Sequence, residues 1–142
     1  MRMLLSLIGL CAAVVSAIDI TAPILNSTYA AGSDLTVEWT TVDTDPSDFS
    51  IYLVNFVYWP PSYVALSLNV PTADLAATVQ IPCEIAPEWG YQINAINGTN
   101  VYIIYAQSDK FYVSQELDAS TCVDNSTVAT TCAAASTVYV TL

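Results

Sequence analysis

Apolar and polar residues alternate with a period of two along most of this chain. Leu35-Thr36-Val37-Glu38-Trp39, Phe49-Ser50-Ile51-Tyr52-Leu53 and Tyr91-Gln92-Ile93-Asn94-Ala95-Ile96 each put every second side chain on one face. That period, filled with β-branched and aromatic residues, marks half-buried strands. Val64 to Val70 and Thr78 to Ile81 predict two more strands, and Ile18 to Ile24 an early one closed by Pro23. Val101 to Ala106 and Phe111 to Val113 predict a last strand, interrupted at Ser108-Asp109-Lys110. Turn-forming clusters separate these runs: Ala31-Gly32-Ser33-Asp34, the Asp43 to Asp48 segment with Pro46, Trp59-Pro60-Pro61-Ser62, and Asn97-Gly98. Both residues of the Asn97-Gly98 pair tolerate the positive φ of a type I′ hairpin turn.

No segment longer than a turn has helical periodicity. About seven short strands with turns between them predict an all-β, immunoglobulin-like or fibronectin-III-like antiparallel β-sandwich. An up-and-down barrel is the alternative. The predicted core holds Leu35, Val37, Trp39, Ile51, Leu53, Leu66, Val79, Ile81, Tyr91, Ile93, Ala95, Tyr102, Ile104 and Phe111. Trp39 lies mid-sheet on the inward register and reads as a core anchor.

The ends of the chain follow different rules. Met1-Arg2-Met3 is a short positive start, Leu4 to Val15 is almost unbroken apolar sequence, and Val15-Ser16-Ala17 offers the small residues a signal peptidase reads. The apolar run is too short to cross a bilayer of about 30 Å as a helix, so residues 1–17 read as a secretory signal peptide. Residues 18–116 read as the sandwich domain, with no transmembrane segment in the mature chain. Residues 117–142 form a Ser/Thr/Ala-rich tail that can bury little, which predicts an extended, O-glycosylated segment. Its end, Ala133 to Leu142, is short and broken by hydroxyls, so it is not expected to be a GPI signal.

Charge and cysteine narrow the function. The chain has 13 acidic and 2 basic residues, no histidine and a net charge of −11. Losing Arg2 with the leader leaves Lys110 as the sole basic side chain and takes the charge one unit lower, to −12. Such a surface repels phosphate backbones, which excludes nucleic acid as a partner. Secretion permits disulfides, and three cysteines remain, Cys83, Cys122 and Cys132. Cys83 lies at the end of the fifth main strand, and the end of the last strand returns to that edge. The eight residues from Ser114 to Cys122 can reach it, so Cys83–Cys122 is the expected bridge, with Cys122–Cys132 the next choice. Three sequons, at Asn26, Asn97 and Asn125, predict N-glycosylation of at least one.

Little catalytic chemistry is available. Without histidine there is no Ser-His-Asp or Cys-His system, and the cysteines lack metal-site spacing, so no cofactor is expected. Carboxylate pairs among Asp43, Asp45 and Asp48, or Glu84 and Glu88, could in principle hydrolyse glycosides or hold calcium. Loop acids on so acidic a chain read instead as solvated turn residues, and no enzyme is expected. The loop Tyr58-Trp59-Pro60-Pro61-Ser62-Tyr63 is the more informative feature. Prolines stiffen it, and rigid outward rings stack on sugar faces or anchor protein contacts. The residue pattern favours Trp59 folding back to cap one end of the sandwich, and Trp89 doing the same. If a ligand site exists, Tyr58, Trp59 and Tyr63 are its expected residues.

Several short stretches carry a family likeness. They are Ile20-Thr21-Ala22-Pro23, Ala31 to Trp39, Ile81-Pro82, Tyr91-Gln92-Ile93, and Ser108 with Phe111-Tyr112-Val113. In that order, between a leader and a Ser/Thr-rich segment, they resemble the fungal KRE/KNH-like N-terminal immunoglobulin-like domain. That family occurs in Ser/Thr-rich, often GPI-anchored cell-wall and surface proteins. The likeness covers about Asp19 to Ser114. It implies a secreted, non-catalytic fungal protein of the cell wall or surface, associated with β-glucan assembly or binding, and supplies no catalytic residues. The usual long Ser/Thr-rich region is here reduced to the 24 residues from Ala119 to Leu142, which makes free secretion an option. The alternative reading is a secreted interaction protein or effector that binds a protein partner through its exposed aromatic loops.

Overall fold

The computed structural model describes residues 17–116, 118 and 120–124. The expected leader up to Ser16 and most of the tail, with Asn125 and Cys132, lie outside them. The described residues form an all-β sandwich with strands β1 (Asp19–Ala22), β2 (Thr28–Ala30), β3 (Asp34–Thr40), β4 (Asp48–Asn55), β5 (Ser62–Pro71), β6 (Ala76–Gln80), β7 (Trp89–Asn97), β8 (Asn100–Gln107) and β9 (Phe111–Ser114). A 3-10 turn, Thr72–Asp74, joins β5 to β6. One sheet has the order β1-β3-β6; the other has β2-β9-β7-β4-β5, with β8 also paired to β7.

β3 shows why the pattern works. Its burial alternates strictly, with Leu35, Val37 and Trp39 inward and charged or hydroxyl residues outward. Those three meet Ile51, Leu53, Ile93, Ala95 and Phe111 from the other sheet in one continuous core. Trp39 is the anchor expected: its ring packs edge-on against Phe49 at 4.9 Å, and its indole N–H donates to Thr72 O at 2.8 Å. β4, between β5 and β7, is buried on both faces. On its outer side Tyr52, Val54 and Ile96 form a second small cluster with Ala65, Leu68 and Val101.

The last strand departs from its expected register. The interruption at Ser108 is real, and it produces two strands on one side of β7. β9 pairs with the start of β7 and β8 with its end. Ser108 holds the break: its buried hydroxyl accepts from Ile93 N at 2.8 Å, and its own N–H donates to Ile93 O at 2.8 Å. Along β8 the pairing slips twice, between Ala95 and Ile96 and between Ile96 and Asn97. Each bulge rotates the following side chains to the other face. Tyr105 and Ala106 therefore reach the core, while Tyr102 and Ile104, expected inside, are exposed. The hairpin loop is likewise one residue on from the expected place. Asn97 pairs with Asn100, and Gly98, with φ of 59°, leads a Gly98-Thr99 turn in which Asn97 keeps an ordinary φ.

The Cys83–Cys122 bridge forms, with Cα atoms 6.0 Å apart. A turn at Asp118, whose carboxylate accepts from Ser120 N and Oγ, brings the chain back. Asp124 then accepts from Cys83 N at 2.8 Å. Closing a loop with a sequence separation of 39 contributes about 4 kcal/mol in the chain-entropy description. Gly32 makes room for the bridge: its φ is 82°, and a Cβ there would collide with Cys122 Sγ.

Candidate functional site

The β4–β5 connection stands out because its side chains point away from the core while its backbone is held. It begins at Asn55, which is buried at the end of β4. The Asn55 amide donates to Trp89 O at 3.2 Å and faces Glu88 Oε1 at 3.4 Å. Its oxygen accepts from Val57 N at 2.9 Å. One buried amide thus ties the loop to β7. Gly90 completes the fit: a Cβ there would come within 2.6 Å of Val57 Cγ2. Beneath the loop the Tyr91 hydroxyl lies 2.9 Å from Ala86 O and 3.3 Å from Glu88 Oε1, as donor. Burial, then the Glu88 charge, push this phenol up to about 12.

On that base, Trp59 is 91% exposed, the opposite of the folded-back ring the sequence favours. The indole projects from the loop with nothing of the sandwich over it. Tyr58 and Tyr63 lie on the same segment, and with Phe56 and Val57 are between 41% and 48% exposed. Phe56 and Tyr63 pack edge-on at 5.4 Å, which closes the loop across its base. Tyr63 is the partner of Val54 across β4–β5, so the loop continues into the outer-face cluster of Tyr52, Val54 and Ile96. Tyr58, Trp59 and Tyr63 are therefore exposed side chains of one segment. Phe56, Val57 and the Asn55 pin escape sequence reading. The one signal for the pin is an asparagine directly following the apolar run of β4, where a side-chain amide can replace lost ladder bonds.

From Phe56 to Tyr63 the loop carries no carboxylate and no amine, on a chain of net charge −11. The arrangement offers flat apolar surface and hydroxyls without charge. The acidic loops are occupied otherwise. Asp45 Oδ2 accepts from Thr41 Oγ1 at 2.8 Å and from Val42 N at 2.7 Å, which caps its own turn. Among the described residues, no three Cys, Asp or Glu side chains converge on a metal-sized site. Trp89 is half-buried: its ring lies against Tyr112 at 6.3 Å and under Lys110 Nζ at 5.8 Å. Asn26 and Asn97 are both exposed in turns or strand ends, and Asn125 lies outside the described residues.

A two-sheet sandwich that presents an aromatic loop defines a class of domain, and the comparison with protein families places it. Residues 22–113 match the Kre9/KNH-like N-terminal Ig-like domain, and the chain belongs to that family. Among its relatives is the serine/threonine-rich protein adg2 of Schizosaccharomyces pombe, 32% identical over 78% of this chain and 16% of that protein. A UPF0619 GPI-anchored membrane protein of Aspergillus fumigatus is 33% identical over 82% of this chain and 53% of its own length. A second UPF0619 GPI-anchored membrane protein, from S. pombe, is 28% identical over 67% of this chain and 37% of its length. This chain thus spans about half or less of these curated relatives. Among solved structures, the fibronectin(III)-like modules of Clostridium thermocellum CbhA are similar at 15% identity, with a TM-score of 0.39 over 71% of this chain and 97% of that one. The expectation against a GPI signal falls on residues outside the described ones, and relatives named as GPI-anchored give it no support. Among the described residues no helix is long and apolar enough to cross a membrane.

Proposed function

We propose that this chain is a non-catalytic domain of a fungal cell-wall or cell-surface protein that holds neutral wall polysaccharide, β-glucan, on Tyr58, Trp59 and Tyr63. The observation that carries the reading is Trp59, a fully presented indole on a loop whose backbone is pinned by Asn55. Sugar rings offer C–H faces that stack on aromatic rings. A ring held in place before binding loses little conformational freedom when it binds. The uncharged loop suits a neutral, hydroxyl-rich polymer. Membership of the Kre9/KNH-like family, and relatives named as Ser/Thr-rich or GPI-anchored, support a place at the cell surface. Anchored and freely secreted forms are both compatible with this role.

The test is retention of the purified glycosylated 18–142 protein on insoluble fungal β-glucan, with chitin and cellulose as controls. Selective retention is expected, and Trp59→Ala should abolish it without altering the circular dichroism spectrum. Unaltered retention of that variant would sink the assignment of the loop. One observation favours a second reading, a protein partner: Phe56 and Val57 add apolar area beside the tyrosines, as in the anchors of protein interfaces. Failure to bind any of the three polysaccharides would favour it.

A further inference from the structure

The β1–β2 turn presents a sequon against an aromatic wall. Asn26 sits there with φ of 60°, a left-handed conformation that asparagine tolerates well. The turn is fixed from both sides. Asn26 N donates to Lys110 O at 2.9 Å, Tyr112 N donates to Ser27 O at 2.8 Å, and the Ser27 hydroxyl donates to Ile24 O at 2.6 Å. Asn26 Oδ1 accepts the Trp89 indole N–H at 3.1 Å. That bond orients the side-chain amide by its oxygen and leaves the nitrogen, the atom that carries N-linked sugar, for the glycan. Attachment replaces one hydrogen of Nδ2 and keeps the oxygen as acceptor, so the Trp89 bond and the glycan are compatible.

The surroundings are built for a cover. Trp89 and Tyr112 form a tilted ring pair beside the amide. Tyr112 is half-exposed, and Ile24 and Leu25, just before Asn26, are exposed aliphatic side chains. A first sugar on Nδ2 is within one ring's reach of this apolar surface. The Asn97 sequon differs: it ends β7 beside Gly98, where an added Cβ would meet nothing within 4 Å.

We propose that Asn26 carries an N-linked oligosaccharide whose first N-acetylglucosamine packs on Trp89 and Tyr112, so that the glycan is part of the fold. The donor class is a polyprenyl-pyrophosphate-linked oligosaccharide. Nδ2 forms the bond to the sugar C1 while the C1–O bond to pyrophosphate breaks. The pyrophosphate leaves with the bonding pair, and Nδ2 gives up one proton. The sugar covers apolar surface that would otherwise face water, and it braces the turn against β7 and β9.

The experiment expresses the whole chain in a glycosylating eukaryotic host and in a non-glycosylating host. Glycopeptide mapping is expected to find Asn26 occupied. Thr28→Ala removes the sequon and keeps Asn26 and its bond to Trp89. In the glycosylating host it should lower the melting temperature by about 4–8 °C, the shift that about 1 kcal/mol produces in a domain of this size. The same substitution in the other host should leave the melting temperature unchanged, as should Thr99→Ala at the Asn97 sequon in either host. Trimming to a single N-acetylglucosamine should retain the stabilisation. An unoccupied Asn26, an equal effect of Thr28→Ala in both hosts, or loss of the stabilisation on trimming would each overturn the proposal.

Discussion

Tyr91 shows how a single residue joins the core to the candidate site. Its ring is in the main core, and its hydroxyl ends beneath the aromatic loop beside Glu88. Burial and that carboxylate raise its pKa from 10.0 to about 12. A raised folded-state value means the contribution to stability is complete below pH 10 and is lost as pH climbs toward 12. Wild-type protein should therefore lose more unfolding free energy than Tyr91→Phe between those values. Urea titrations at successive alkaline pH values check this, and parallel curves for the two proteins would refute it. Asn55 acts at the same scale in another way: a buried amide takes the place of ladder bonds where β4 ends, and so holds the loop that presents Trp59.

Among the elements, β3, β4 and β7 are legible because their alternation survives into the sheet. Leu35, Val37, Ile51, Leu53, Ile93 and Ala95 are all buried where the pattern puts them. The strand at β8 is legible but its facing is not, because a bulge is a property of the pairing and leaves little mark on one strand's composition. Val101-Tyr102-Ile103-Ile104-Tyr105 is apolar at every position, so the pattern offers no polar residue to show which face turns outward. β2 is missed because three residues are too short for a period, and it is defined by parallel pairing with β9. The aromatic loop is visible in sequence, but the exposure of Trp59 depends on the Asn55 and Gly90 contacts from distant strands. The difference between the elements is measurable. Ile51→Ala should cost about 2–5 kcal/mol, as expected for a truncated core side chain. Tyr102→Thr should stay within about 0.5 kcal/mol, as for an exposed position. Denaturant unfolding of both variants checks the assignment, and a large loss for Tyr102→Thr would contradict the outward register of β8.

At the scale of the whole molecule, the two sheets are joined by a common core and by one covalent link from the end of β6 to the segment after β9. The link also decides how the domain bears load. A pull applied between the residues before Asp19 and those after Cys122 passes through the bridge to Cys83, and so bypasses β7, β8 and β9. It then acts on β1 and β6, both antiparallel to β3 between them. Asp19 lies opposite Thr40 at one end of β3, and Gln80 opposite Asp34 at the other. The tension therefore runs along the strands in shear, so their hydrogen bonds must break together instead of peeling singly. The oxidised domain should yield at high force and release a shorter length than the reduced one. The hidden segment, with a sequence separation of 39, accounts for about 140 Å of contour. Single-molecule extension with and without reductant measures that difference, and equal lengths would show that the bridge carries no load.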